Sequence, residues 1–263
     1  MSMVTRIQQQ QIAQLVSKGK RIDGRGLEDY RDIKVEMGVI EKAEGSARVF
    51  LGRTEVLVGV KIEVGRPFPD TPDAGVLTVN VELVPLASPR FEPGPPREEA
   101  IELARVVDRG IRESKVIKTE ELCLIKGKKV LIVFVDVYVL NHDGNLIDAS
   151  AIAALAALMN TKVANYEVSE EEVQVKPGYN QLPIQNYPIA VTFAKINDKL
   201  VVDPGLKEEQ AMDTRITITI EKEGKICAIQ KAGGGLLTTD QIVEAAKLAK
   251  KKATEVRKLV VKE

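Results

Sequence analysis

A chain of 263 residues, 44% of them apolar, is long enough for one large domain or two small ones with a full core. Its 38 Lys and Arg balance 38 Asp and Glu, which argues against a surface that binds nucleic acid all over and leaves room only for a local basic patch. The two cysteines, Cys123 and Cys227, lack metal-ligand spacing and point to a reducing compartment, and no uncharged apolar run reaches transmembrane length, so the expectation is a soluble cytoplasmic protein with no membrane contact. In chain order, Thr5 to Lys18 carries Ile7, Ile12, Leu15 and Val16 at helical spacing and stops at Gly19. Arg21-Ile22-Asp23-Gly24-Arg25-Gly26 reads as a turn held by local ion pairs. Ile33, Val35 and Met37 alternate as a strand, and two further strands, 46–52 and 54–64, meet at a tight turn over Gly52-Arg53. Val76 to Leu86 alternates again. The run Glu92-Pro93-Gly94-Pro95-Pro96 excludes helix and central strand, and it launches a helix over about 97–114 with Pro96 near its first position and Glu98 and Glu99 in its first turn.

That helix has the most informative charge pattern. Ala100, Leu103, Ala104, Val107 and Ile111 share one face, and Arg105, Arg109 and Arg112 share the opposite one. Such a stripe is either solvated and neutralised by Glu102, Asp108 and Glu113, or it faces phosphates, which planar guanidinium groups bind in bidentate fashion.

Val130 to Leu140 has the composition of a strand buried on both faces. A turn at Asn141–Asn145 follows, and then a helix that is nearly all Ala, Leu and Ile, capped by Asp148 and ending near Asn160. A helix apolar all round belongs in a core. A strand, a tight loop and a helix form the frame of a phosphate site. Gly144-Asn145-Leu146-Ile147-Asp148, however, brings no cation and adds a carboxylate that would repel an anion. Beyond it, 167–175 is acidic and 176–180 reads as a loop. Ile189–Ile196 and Leu200–Val202 form a hairpin over Asn197-Asp198, and 215–221 and 226–231 form another. Thr238-Thr239-Asp240-Gln241 is a capping-box start for a last helix with Ile242, Val243, Ala246, Ala249, Ala253 and Val256 on or near one face. The expected class is α/β (α+β), in two sheet-plus-helix halves that pack as one unit.

Other chemistry is thin. His142 beside Asp143 is a turn residue without a second histidine. Gly233–Gly235 before a helix lacks the Lys-Ser/Thr ending of a phosphate loop. Asp203, Glu208, Glu209 and Asp213 follow a strand, where they form an acid-rich turn or, alternatively, a Mg²⁺ or general-acid site. No Ser/His/Asp or Cys/His constellation can be assembled.

Several stretches together resemble the RNase PH family of phosphate-dependent exoribonucleases. They are Arg21-Ile-Asp-Gly-Arg25, Gly45-Ser46-Ala47, Leu51-Gly52-Arg53-Thr54, Asp143-Gly144 before the Ala-rich helix, and Val201-Val202-Asp203-Pro204 with Glu208-Glu209. Within that family, the runs 91–96, 100–109 and 136–140 are most similar to the non-catalytic ring subunit of the archaeal exosome. The resemblance implies an RNase PH-like fold, related to ribosomal protein S5 domain 2, of two βαβ-type halves with mixed sheets backed by helices. On that basis the chain divides into an N-terminal helix and RxDGR segment (1–27), a first half (28–165), a connecting segment (166–187) and a second half with the C-terminal helix (188–263).

The resemblance also implies a heterodimer with a catalytic RNase PH-like subunit, three heterodimers in a ring around an RNA channel, and a cap of S1- or KH-domain subunits. Active members release nucleoside diphosphates from RNA by phosphate attack, using a Gly-Ser/Thr-Arg loop before the central helix and paired Asp residues after the strand matching 201–203. Here Gly144–Asp148 lacks the hydroxyl and the Arg, and the second acid falls at Glu208 or Glu209. The expectation is therefore no catalytic residue, metal or cofactor of its own, with the phosphate used by the partner. RNA would be gripped by Arg105 and Arg109, with Arg112 as a further candidate. The alternative is an exoribonuclease active in its own right, with Asp203 as acid.

Overall fold

The computed structural model describes residues 3–169 and 172–261; Glu170 and Glu171 of the acidic segment lie outside the described residues, as do Met1, Ser2, Lys262 and Glu263. Alternating apolar residues build the first sheet. β1 (Ile33–Met37), β2 (Gly45–Leu51) and β3 (Thr54–Gly65) form an antiparallel meander that turns at Gly52-Arg53, where Gly52 has φ 57°. β6 (Lys129–Asn141) pairs antiparallel with β3, β4 (Val76–Leu83) pairs parallel with β6, and the short β5 (Cys123–Ile125) folds back on the start of β6. The order is β1-β2-β3-β6-β4, and the parallel β4–β6 step crosses over through α2 (Glu98–Glu113). Arg97, not a residue within the helix proper, takes the N-cap position, so Pro96 precedes the cap instead of opening the first turn.

β6 departs from its sequence reading. Val133, Val135, Val137 and Val139 are buried, but Ile132, Phe134, Asp136 and Tyr138 on the other face are only half-buried. The continuous apolar run suggested two covered faces. Within this chain α3 (Leu146–Met159) covers one.

α3 itself is buried nearly all round, as its composition requires, because it lies between two sheets and packs on β2, β3 and β9 (Ile189–Ile196). The second sheet runs β10 (Lys199–Val202)-β9-β11 (Thr214–Ile220)-β12 (Ile226–Ala232), antiparallel throughout. Both predicted hairpins form, the first turning at Asn197 with φ 54°. One continuous apolar core includes residues of both halves, from Val49 and Val137 to Phe193, Ile218 and Ala249. α1 (Met3–Ser17) serves the second half: Ile12 and Val16 bury against Ala194, Ile196 and Val201.

α5 (Thr239–Val260) starts with the predicted capping box: Thr238 Oγ1 accepts from the Gln241 N–H at 3.2 Å, and Gln241 Oε1 accepts from the Thr238 N–H at 3.0 Å. Thr238→Ala is expected to cost about 1 kcal/mol in a urea melt. The buried stripe of α5 is Ala245, Ala249, Lys252, Ala253, Val256 and Val260. Ile242 and Val243, placed on or near that face from sequence, are 37% and 46% exposed, and the stripe that α5 lays on β9 and β11 begins at Ala245.

The connecting segment is not a loop. β7 (Lys162–Ser169) and β8 (Glu172–Gln181) form an antiparallel ribbon, with Tyr166 opposite Val175 and Val168 opposite Val173. Its polarity hid it: β8 is exposed along nearly all its length, so it carries little of the apolar alternation that marks a strand.

Candidate functional site

The β6–α3 loop sits at the junction of the two halves. Gly144 has φ 92°, and a Cβ there would lie 2.4 Å from the Leu206 nitrogen and 2.5 Å from the Gly205 carbonyl carbon, so the close approach of the two loops demands glycine. Asn145 follows in the left-handed conformation at φ 52°, ψ 51° and caps α3 by accepting from the Asp148 N–H at 3.4 Å. The cap is Asn145, then, and not Asp148 as the sequence suggested. Asp148 lies one turn inside the helix and is fully buried. Its carboxylate accepts from Tyr30 Oη (2.7 Å), Thr192 Oγ1 (2.7 Å), Asn145 Nδ2 (2.8 Å) and the Thr192 N–H (3.1 Å). Burial pushes the Asp148 carboxyl up to about 6, against the pull of these donors.

The Arg21–Arg25 segment reaches much farther than a local turn. Only the Arg25–Asp23 pair, at 2.8 Å, is local. Arg21 is buried and donates to both carboxylate oxygens of Glu208, Nε to Oε1 at 2.8 Å and Nη2 to Oε2 at 2.5 Å, and to the carbonyls of Val202 and Asp203. Asp203, buried and left-handed at φ 48°, accepts from Arg25 Nη1 (2.8 Å), Arg31 Nε and Nη2 (2.9 and 2.7 Å) and Asn145 Nδ2 (2.8 Å). Burial opposes its ionisation, but the Arg31 guanidinium and the other donors hold the carboxyl below its usual range. A non-glycine residue held in this backbone region is a strained position that its surroundings over-determine.

Glu209 points back to the same loop, accepting from the Asn145 N–H at 2.8 Å. Desolvation raises its carboxyl to about 7, with Glu99 adding to the rise and Arg215 and Arg31 opposing it. The acidic turn therefore splits. Asp203, Glu208 and Glu209 are tied to arginines and backbone, whereas Asp213 is exposed at the start of β11. Among the described residues no group of three or more His, Cys, Asp and Glu is placed to hold a metal ion. At the start of α3, where a phosphate would meet free N–H groups, stand the carboxylates of Asp148, Asp203 and Glu209. The arrangement ties both halves and the N-terminal segment together, and it opposes a bound anion.

The other turn candidates are structural. His142 stacks on Phe91, with ring centroids 5.5 Å apart and planes at 19°, and Asp143 pairs with Arg53. Burial and the nearby Arg90 lower the His142 pKa. Gly235 donates its N–H to the Asp213 carbonyl, packing the glycine run against the start of β11.

The arginine stripe faces outward along a groove of about 770 Å³ between α2, β4 and β12, with Arg105, Arg109, Arg112, Leu77, Val79 and Gln230 among its walls. Of the acids expected to neutralise it, Glu102 pairs with Arg215 at 2.8 Å, while Asp108 bonds Arg112 at 2.7 Å and Glu113 adds its charge near the same guanidinium. Arg112 also donates to the Leu77 carbonyl (3.0 Å), and Arg109 donates to Gln230 Oε1 (3.3 Å). Arg105 is exposed, with no hydrogen-bond or ion-pair partner among the described residues. Gln230 and the Leu77 carbonyl belong to this groove without any sequence signal, since only folding brings β12 and β4 to either side of α2. Three guanidinium groups over seven residues of helix, about 10 Å, suit a polyanionic chain.

The chain matches the family model for the 3′ exoribonuclease family, domain 1, over residues 29–164, and domain 2 of the same family over residues 186–252. It is 56% identical over 257 residues to the exosome complex component Rrp42 of Thermococcus gammatolerans, covering 97% of this chain and 94% of that one. It is 51% identical over 261 residues to the Rrp42 component of Methanopyrus kandleri, covering 99% and 98%. A chain of the Archaeoglobus fulgidus exosome with RNA bound to the active site superposes with a TM-score of 0.90 at 46% identity, over 98% of this chain and 99% of that one. Rice Rrp46, at 16% identity and a TM-score of 0.70 over 91% of this chain and 98% of that one, shares the fold.

Proposed function

Because this chain belongs to the RNase PH family of 3′ exoribonuclease domains, we propose that it is a non-catalytic ring subunit of an archaeal-type exosome. In this reading it shapes the active site of a catalytic RNase PH-like partner and grips RNA through Arg105 and Arg109, with Arg112 braced behind them. The carrying observation is the start of α3, where Gly144–Asp148 offers neither the hydroxyl nor the arginine with which an active member would clamp phosphate, and the buried Asp148 lies within that frame. A chain so built uses no cofactor of its own; inorganic phosphate is consumed at the partner's site. In the same reading the chain sits in a ring of three heterodimers with an S1- or KH-domain cap, working in the cytoplasm; the relatives named as exosome components support membership of such a complex. No helix among the described residues is long and apolar enough to cross a membrane.

The test is RNA phosphorolysis by the purified chain, alone and mixed with the catalytic-type partner. The chain alone should be silent and the mixture should release nucleoside diphosphates; digestion by the chain alone would establish the alternative, an enzyme in its own right. In the assembled ring, Arg105→Ala with Arg109→Ala should weaken binding of single-stranded RNA whatever its sequence. Losing two phosphate contacts should also flatten the plot of log affinity against log salt by about 1.4. An unchanged slope would remove the stripe from the RNA site.

A further inference from the structure

Behind the arginine groove lies a second, smaller space. A cavity of about 50 Å³ is bounded by Glu99, Glu102 and Leu103 of α2, His142 at the end of β6, Leu146 and Ile147 of α3, Glu209 of α4 (Leu206–Glu209), and Arg215 of β11. Glu102 is the wall shared by the two spaces, since it also lines the groove with Arg105 and Arg109. Its carboxylate accepts from Arg215 Nη2 at 2.8 Å. Glu209 lines the same cavity, and Arg215 is among the charges that favour its ionised form. Arg215 thus pairs with one carboxylate and lines the same cavity as the other.

We propose that Arg215 is a positioning residue shared between Glu102 and Glu209, so that the protonation state of Glu209 decides whether Glu102 is held away from Arg105 or left to pair with it. This inference rests on the RNA-binding reading of the groove. With Glu209 protonated, Arg215 belongs to Glu102, the arrangement seen here, and Arg105 is free for a phosphate. With Glu209 ionised, Arg215 is drawn toward the second carboxylate. Glu102 is then left three residues before Arg105 on one helix, the spacing at which Glu and Arg side chains meet, and it competes with the RNA backbone for the guanidinium. The charged and titratable groups facing Glu209 are Glu99 and Glu102 from α2, His142 from the end of β6, Arg215 from β11 and, across the Asn145 turn, Arg31. Burial and Arg90 favour neutral His142, so it does not supply the second cation. Burial and Glu99 place the Glu209 titration at about 7, within the working range of a cell.

The experiment uses the ring assembled with its catalytic-type partner, in phosphate-free buffer so that no RNA is consumed, and measures the affinity of a fluorescent oligoadenylate at about pH 6 and about pH 8. Wild-type affinity should fall by roughly fivefold between the two, a coupling of ordinary size. Glu209→Gln should hold its pH 6 affinity at pH 8, because the amide still accepts from the Asn145 N–H but never competes for Arg215. Glu102→Gln, a more exposed change, should abolish the pH dependence in the same way. Arg105→Ala should bind weakly at both pH values. If Glu209→Gln and Glu102→Gln keep the wild-type profile while Arg105→Ala weakens binding, the shared arginine is refuted and the RNA groove stands. If Arg105→Ala changes nothing at either pH, both fall together.

Discussion

Arg21→Ala is expected to lower the unfolding free energy by about 3–5 kcal/mol, the range found when one partner of a buried ion pair is removed. Arg21 and Glu208 have almost no solvent contact, and the guanidinium donates to two carboxylate oxygens and to the backbone carbonyls of Asp29, Val202 and Asp203. Truncation leaves the Glu208 carboxylate in a dry site with the Gly205 N–H, at 2.8 Å, as its one remaining donor among the described residues. The loss should appear as a lower midpoint in guanidinium chloride with an unchanged slope, since the compactness of the two states is not altered. A double replacement by Met at 21 and Leu at 208 should recover much of it, because two well-packed apolar residues leave no charge unpaired. A single substitution costing under about 1 kcal/mol would mean that the pair is solvated and does not lock the N-terminal segment to the second half.

The second large effect is a dependence of stability on pH, carried by Glu209. Its carboxyl is raised from an ordinary 4.5 to about 7, so the folded protein holds a proton more tightly than the unfolded chain. The contribution is therefore fully present below about pH 4.5 and is lost as pH rises through 7. A difference of about 2.5 pH units corresponds to at most roughly 3.4 kcal/mol. Asp148, raised from 3.8 to about 6, acts in the same direction over a lower window. Glu209→Gln should consequently melt higher than the wild type at about pH 8 and nearly level with it at about pH 4.5, as read by calorimetry in matched buffers. A constant gap across that range would show that Glu209 ionises freely in the folded state.

These two effects have a common origin. In an active member of the family, the resemblance places a phosphate at the start of the central helix. Here the chain supplies the anions itself, and the arginines that hold them, Arg21, Arg25 and Arg31, come from the segment just after α1. The frame is a clasp between the halves, and in the function proposed above the guanidinium row on α2 is what this chain offers RNA.

Much of this was legible in the residues. Strand alternation, the Asn197 and Gly52 turns, the Thr238 capping box and the apolar α3 are local, period-driven features, and they formed where they were read. That Gly144–Asp148 has no hydroxyl and no cation is a property of the letters alone. The ribbon of β7 and β8 was not legible, since exposed strands lack the alternation that burial imposes. The start of the buried stripe of α5 was misjudged because which turns of a helix meet the sheet depends on packing.

By itself, then, the sequence determined the fold class, the two halves, the family and the arginine spacing on one helix face. All of these rest on interactions within a few residues or on motifs in order. Only the tertiary structure decided which charges meet: Arg21 with Glu208, Arg31 with Asp203, Glu102 with Arg215 and not with Arg105. Those partners lie more than 100 positions apart, and whether an ion pair forms at such separation depends on the burial and distance that the packed core imposes, quantities no local pattern records.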